Sequence, residues 1–387
     1  MKRLRHVAVL ALLVLPAPGG QARTPVQAPA GEFGAAIAAI DARIASEFAK
    51  DGVGAVSIGV VSGAKLIWSK HYGHAEQVTK RAADNDTDYR IGSITKQFTV
   101  LALLQLVEQG KMRLSDPIEK YVPEIRSVQG APPGASPITL LQVATMMSGL
   151  AREPGCANHS EGPLSVWQKK VLECLPATRY EFEPGTQFLY SNIGYATLGL
   201  AIERAGGTPY TAQVEERIFK PLGMSRSAFE PTALRQNLAH GYVRTGANTV
   251  PNRSRADAEL DGRGYRVPNG AIFSTINDLA KFVAWELGEG PALIKKETQD
   301  ANYLRVYSAT DTRNTLSMTS GYGLGFQVQR RGDVVMLGHG GSTAGYLAAA
   351  FFNRSKKVGV VVLRNCDSCP ITPTTVAAYS LEQLVGK

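Results

Sequence analysis

The sequence has no cysteine before Cys156, six scattered histidines, no internal repeat, no low-complexity segment and no apolar run long enough to span a bilayer. Each absence excludes something. A membrane-crossing helix needs about 20 apolar residues, and the candidate at residues 7–15, inside MKRLRHVAVLALLVLPAPGGQA, falls short. Its basic start, apolar centre and small residues before Ala22 match an export signal removed after residue 22. The mature chain is then 23–387, with no membrane span and a secreted, most simply bacterial periplasmic, location. A lipid anchor is disfavoured, since no cysteine stands near the cut. Only His71 and His74 lie close together, and both read as strand and turn residues, so neither a metal nor a cofactor is expected. The nearest approach to a GxSxG elbow, Gly340-Gly341-Ser342-Thr343-Ala344, is one residue short and no histidine follows it. An α/β-hydrolase is thereby excluded.

Extreme charge is missing too. The net charge of +9 falls to +6 when Lys2, Arg3 and Arg5 leave with the signal. The visible basic clusters, QRRGD at 329–333 and NRSKK at 353–357, lie between apolar strand-like runs and read as solvated hairpin turns. Nucleic acid is therefore not an expected partner, while weak attraction to an anionic envelope polymer is allowed.

Cys156, Cys174, Cys366 and Cys369 follow an export signal, and disulfides persist outside the cytosol. Proximity favours Cys156 with Cys174 and Cys366 with Cys369 among the three connectivities, although a CxxC ring can be strained. A redox role for CDSC would want a helix starting at the motif, and the CPITP that follows opposes one.

With 387 residues and 44% hydrophobic content, the chain can build a large core. Phe33, Ile37, Ile40, Ile44 and Phe48 repeat at helical spacing over 32–50. AVSIGVV and KLIWSKHYG, joined by SGA, predict a hairpin; YGLGFQVQ, DVVMLG, GYLAAAFF and KVGVVVLRN predict four further strands between 322 and 365, before a last helix in TVAAYSLEQLV. The expectation is an α/β (α+β) fold. One antiparallel sheet is assembled from both chain ends (about 32–92 and 266–387) and flanked by the terminal helices, and about 93–265 forms a mainly helical lobe.

Three short motifs carry the chemistry. IGSITKQFTVLALLQL starts a helix near Ser93 and puts Lys96 one turn on, which suits a serine nucleophile with a local proton acceptor and equally suits a helix cap beside a cation. Ser62 and Lys65 repeat the spacing inside the predicted turn, where no such chemistry is expected. Tyr190-Ser191-Asn192 is the only YxN among fourteen tyrosines. Its phenol could share a proton with Lys96 and its Asn192 amide could hold a lysine and a substrate carbonyl; a loop tyrosine with a capping Asn192 is the plainer reading. LGHGGSTAGY brings His339 and two glycines between strands, where backbone can approach a ligand. His71-Tyr72-Gly73 and Arg244-Thr245-Gly246 mimic this third motif without its context. Ordinary Lys and Tyr, with pKa values about 10.4 and 10, are protonated at neutral pH, so a working site must desolvate the lysine or crowd it with positive charge.

In this order, SxxK, YxN and HxG, with PGTQFLYSN, PLGMSRSAF, FSTINDLAKF and YGLGFQV between and around them, the chain resembles the serine β-lactamase and penicillin-binding-protein superfamily, specifically its class C-like branch. The resemblance covers about residues 35–375 and implies a β-lactamase/transpeptidase-like catalytic domain. It implies that Ser93 forms an acyl-enzyme while Lys96 and Tyr190 act as a coupled pair, with the identity of the base left open. It further implies that Asn192, His339, Gly340 and Gly341 bind substrate and that the backbone N–H groups of Ser93 and Ser342 form the oxyanion hole. The substrate is then a β-lactam, a D-amino-acid peptide or a small ester, cell-wall peptides among them.

Two departures bear on substrate. Where many members carry Lys-Thr-Gly, His339 is a weaker cation and Gly340 lacks the hydroxyl that would bind a carboxylate, a loss of about 1.5–3 kcal/mol. Relatives also usually carry histidines near Gln142 and Met146, which puts the support of that loop in question. The competing reading is a non-catalytic penicillin-recognising sensor or scaffold with the same fold.

Overall fold

The computed structural model describes residues 31–230, 236–244, 252–260, 262–300, 308–309 and 320–386. The expected signal, 1–22, and Thr245 and Gly246 of the third-motif look-alike lie outside them. The strands in chain order are β1 (Ala55–Ser62), β2 (Lys65–Glu76), β3 (Arg81–Ala82), β4 (Tyr89–Arg90), β5 (Phe273–Ser274), β6 (Ser308–Ala309), β7 (Ser320–Tyr322), β8 (Gln327–Arg331), β9 (Val334–Thr343), β10 (Tyr346–Asn353) and β11 (Val358–Arg364). The helices of eight residues or more are α1 (Gly34–Asp51), α2 (Thr95–Glu108), α3 (Trp167–Cys174), α4 (Asn192–Gly206), α5 (Ile276–Glu286) and α6 (Pro373–Val385).

Nine strands form one antiparallel sheet in the order β3-β2-β1-β11-β10-β9-β8-β7-β6, and β4 pairs separately with β5. The early hairpin is stitched to the late strands through β1 and β11, whose register runs from Val56 opposite Arg364 to Ser62 opposite Val358. Of the two basic clusters, residues 354–357 form the hairpin turn between β10 and β11 as expected, whereas Gln329, Arg330 and Arg331 lie in β8 and only Gly332-Asp333 make the turn to β9. The predicted YGLGFQVQ strand is interrupted: Gly323 and Phe326 close a tight turn through Gly323 N–H to the Phe326 carbonyl, so the run divides into β7 and β8.

Burial on both faces explains the valine-rich β11. Side chains alternate along a strand, so Val358, Val360 and Val362 pack with Ile37, Ile40 and Ile44 of α1 and Leu381 of α6. Val361 and Leu363 instead join the larger core that holds α2, α4 and α5. Each fully buried aliphatic contributes about 1.5–3 kcal/mol, so this strand anchors both layers. On the second face, α2 is buried from Thr95 to Leu106, as a helix surrounded by protein must be. Cys156 is joined to Cys174, the last residue of α3, and Cys366 to Cys369 in the connection to α6. That helix starts at Pro373, four residues beyond CDSC. Among the described residues no helix is long and apolar enough to cross a membrane.

An ion pair locks the first helix to the sheet. Asp51, the last residue of α1, accepts from the guanidinium of Arg364 at the end of β11, and their side chains are 1% and 0% exposed. Removing one partner of such a pair leaves a buried, uncompensated charge. Asp51→Asn should lower the unfolding free energy by about 3–5 kcal/mol, measured by urea denaturation; a loss below about 1 kcal/mol would show that the pair is dispensable.

Candidate active site

Three separated segments meet at the start of α2. After β4, Gly92–Ile94 make one turn of 3-10 helix that leads directly into α2. Gly92 has φ +53, and a Cβ there would stand 2.6 Å from the Ser342 nitrogen. A Cβ on Gly341 would stand 1.9 Å from the Ile91 carbonyl oxygen. These glycines therefore let β9 come within backbone contact of the turn that bears Ser93. The β8 ladder ends at Gln327 opposite Gly338, whereas β10 pairs with β9 as far as Thr343 opposite Tyr346. Residues 339–343 thus have one edge beyond the reach of β8, and alternate backbone groups on such an edge point away from β10.

The cap reading of Ser93 does not hold, because no side chain caps the start of α2. The Ser93 hydroxyl is engaged with Lys96, whose Nζ lies 3.1 Å from Oγ, and with the Tyr190 phenol. Lys96 is wholly buried, and Nζ also donates to Asn192 Oδ1 and to the Asn269 carbonyl, each at 2.9 Å. Desolvation pushes its pKa well below the ordinary value; Arg152 and Arg266 push the same way and Glu153 opposes them. Two of the three partners can only accept. The third, Ser93, can accept from an ammonium or donate to a neutral amine, so this arrangement satisfies either protonation state.

Tyr190 is half-buried, with Nζ of Lys96 4.7 Å from its ring centroid. Desolvation raises its phenol above the usual range, with Ser93 and Arg152 pulling it back. The capping role in this segment belongs to Ser191, not Asn192: its Oγ accepts from Gly194 N–H at 3.0 Å and leaves Asn192 as the first residue of α4. The Tyr190 loop is supported without the missing histidines. Met146 takes Leu189 N–H on its carbonyl at 2.9 Å and Ser191 N–H on its sulfur at 3.2 Å, while Gln142 completes a capping box with Thr139.

His339 differs in charge from the weaker cation expected of it. It is 1% exposed, and burial together with nearby Lys96 pushes its pKa down to about 3. Nδ1 lies 2.5 Å from the Gly340 carbonyl, which can only accept, so this nitrogen carries the proton and Nε2 accepts from the Tyr322 hydroxyl at 3.0 Å. The ring is a neutral, fixed tautomer. Ser93, Tyr190, His339, Gly340, Gly341 and Ser342 line one cleft of about 600 Å³.

Sequence reasoning missed Asn269, Glu153 and Tyr322. Asn269 reaches Lys96 through its carbonyl and the Asn192 carbonyl through its amide at 3.0 Å. Glu153 accepts from Asn192 Nδ2 at 2.5 Å and from the Tyr265 hydroxyl, which fixes the Asn192 amide so that its oxygen faces Lys96. No spacing in the chain connects these residues to the three motifs. Conversely, His71 is taken up structurally by Ser57 and Asn85, each at 2.9 Å.

Comparison with known proteins agrees with the geometry. The Beta-lactamase family profile matches residues 40–370. The chain is 28% identical over 342 residues to Beta-lactamase-like protein 4 of Dictyostelium discoideum, covering 83% of this chain and 58% of that one. It is 34% identical over 195 residues to the D-alanyl-D-alanine-carboxypeptidase/endopeptidase AmpH of Escherichia coli strain K12, covering 48% of each. The chain thus spans roughly half to three fifths of the length of these relatives. Among solved structures, the octameric penicillin-binding protein homologue from Pyrococcus abyssi superposes with a TM-score of 0.77 at 26% identity, over 91% of this chain and 78% of that one. A D-stereospecific amidohydrolase from Streptomyces sp. has the same fold, with a TM-score of 0.72 at 23% identity over 92% and 99%. A profile match across most of the chain, on this fold and with these motifs gathered at one cleft, means that the protein belongs to the beta-lactamase family.

Proposed function

We propose that the protein is an exported serine hydrolase that cleaves an amide or ester through an acyl-enzyme on Ser93. The observation that carries this reading is the buried Lys96 amine, held by Ser93 Oγ, Asn192 Oδ1 and the Asn269 carbonyl. With its pKa lowered by desolvation, the neutral amine accepts the Ser93 proton as the hydroxyl attacks the carbonyl. Tyr190, its phenol held protonated by burial, relays a proton to the leaving group and takes it back from the incoming water. The opposite directions of the two shifts favour Lys96 as base and Tyr190 as acid. They act through one Ser93 hydroxyl and titrate as a pair.

The remaining roles follow from position. The Ser93 and Ser342 N–H groups stabilise the tetrahedral oxyanion, Asn192 orients substrate and lysine together, and the 339–343 edge of β9, including His339, Gly340 and Gly341, receives the substrate backbone. A neutral His339 beside Gly340 offers no cation and no hydroxyl for a β-lactam carboxylate. The preferred substrates are therefore esters or D-amino-acid amides. The printed names of the Escherichia coli and Streptomyces relatives support amide and D-centre chemistry. Export is supported by the signal-like start and the two disulfides. The catalytic domain is assigned to 23–387, with a sheet lobe at about 32–92 and 266–387 and a helical lobe at about 93–265.

Three measurements test this reading. A fluorophosphonate or fluorescent penicillin should label wild type and leave Ser93→Ala unlabelled; no label on wild type, or equal label on both, would favour the non-catalytic sensor or scaffold. Steady-state rates should show p-nitrophenyl butyrate hydrolysed at least as readily as nitrocefin, and a large preference for nitrocefin would refute the substrate assignment. Finally, His339 has a folded pKa near 3 against 6.5 unfolded, so between those values the unfolded chain binds the extra proton and acid destabilises the fold. Stability should fall by up to about 1.4 kcal/mol per pH unit on acidification from this one group, and His339→Gln should lack that increment. Parallel stability profiles of the two proteins between pH 6 and 4 would contradict a buried neutral ring.

A further inference from the structure

A second cavity, about 200 Å³, shares Ser93, Arg152 and Ser342 with the main cleft and does not include Tyr190. Its walls carry four arginines, Arg90, Arg152, Arg263 and Arg266, against two glutamates, Glu153 and Glu259. Both acids are already engaged. Glu153 holds Asn192 and Tyr265 and lies 3.6 Å from Arg266, and Glu259 lies 3.4 Å from Arg255. A substrate ammonium would meet an excess of positive charge and no available carboxylate.

Arg90 is 4% exposed, and its Nε and Nη1 have no hydrogen-bond partner among the described residues. Burial lowers its pKa only to about 10, so it stays cationic at neutral pH. On the same wall, the Thr343 hydroxyl is also buried without a partner among the described residues. Buried polar groups of this kind carry a desolvation cost that donating hydrogen bonds to an anion would offset. The planar guanidinium fork matches a carboxylate.

Position says which end of the substrate enters. The departing group must receive a proton, and Tyr190 lines only the large cleft, so the leaving group lies there and the acyl group turns into the small cavity. At about 30 Å³ per water-sized group, the cavity has room for a carboxylate on a short aliphatic arm. We propose that this cavity is a subsite for acyl groups that end in a carboxylate, received by Arg90 with Thr343 and Arg266 at its wall. This assignment rests on acylation of Ser93 and names the substrate class of the same site.

Hydrolysis of p-nitrophenyl hydrogen adipate compared with p-nitrophenyl hexanoate, of equal chain length at constant ionic strength, tests it. Wild type should favour the adipate by about tenfold or more in kcat/KM. The preference should collapse in Arg90→Gln and shrink in Thr343→Val and Arg266→Gln, which serve if the buried Arg90 variant fails to fold. Equal rates for the two esters in wild type, or an adipate preference unchanged in every folded variant, would overturn the subsite while leaving acyl transfer intact. Calorimetry on Ser93→Ala with monomethyl adipate and methyl hexanoate reads binding without turnover. Tighter binding of the anion, lost with Arg90→Gln, supports the subsite even if neither ester is cleaved; equal affinity for the two ligands overturns it.

Discussion

An amine taken out of water governs the arrangement of this protein. Lys96 is useful as a proton acceptor only if its ammonium form is disfavoured, and burial does that at a cost which the surrounding structure must offset. Three oxygens do so, from the 3-10 turn that leads into the lysine's helix, from the first residue of α4 and from the backbone before β5. Keeping those segments together requires α2 to be enclosed on all sides, which is why even its polar residues from Thr95 to Gln105 are buried and why the larger core forms around it. The glycines at 92 and 341 extend the same logic to the sheet, since the lysine and its serine have to meet the edge of β9 at backbone distance.

Charge is distributed unevenly around that amine. On the β9 side, His339 is a neutral ring whose two nitrogens are committed to Gly340 and Tyr322. On the opposite side lie arginines in excess over glutamates. The main cleft is lined by Arg152 alone among charged side chains of the described residues, whereas the smaller cavity carries four arginines. Under the proposed subsite, selectivity would come from which end of the molecule bears the negative charge, because a misoriented anion would leave its own charge and Arg90 both unpaired.

Much of this was legible in the residues. The apolar runs of β1, β2 and β9–β11 and the helical spacing of Ile37, Ile40 and Ile44 report burial directly, because each is a local pattern that one element imposes on its own residues. Ser93, Lys96 and Tyr190 were recognisable because the first two share one turn and the third stands in a distinctive triplet. Other features could not be read locally. Whether Ser93 caps its helix depends on a 3-10 turn that shifts the start of α2, and the neutrality of His339 depends on burial by distant residues. Glu153 and Asn269 approach the site from places in the chain that share no spacing rule with the motifs, and Arg90, though only three residues before Ser93, is brought to the same cavity wall as Glu153 by the assembled fold.

The pairing of β1 with β11 places Val56 beside Arg364, and the strand that completes the central sheet is the last one made. While the chain emerges from a ribosome, the early hairpin has its turn but lacks the neighbour that buries its other edge. The sheet, and with it the ion pair from Asp51 to Arg364, can close only after residue 364 has appeared. A sheet wired in this way relies on contacts between segments about 300 residues apart, the kind of long-range pairing whose loop-closure cost slows folding.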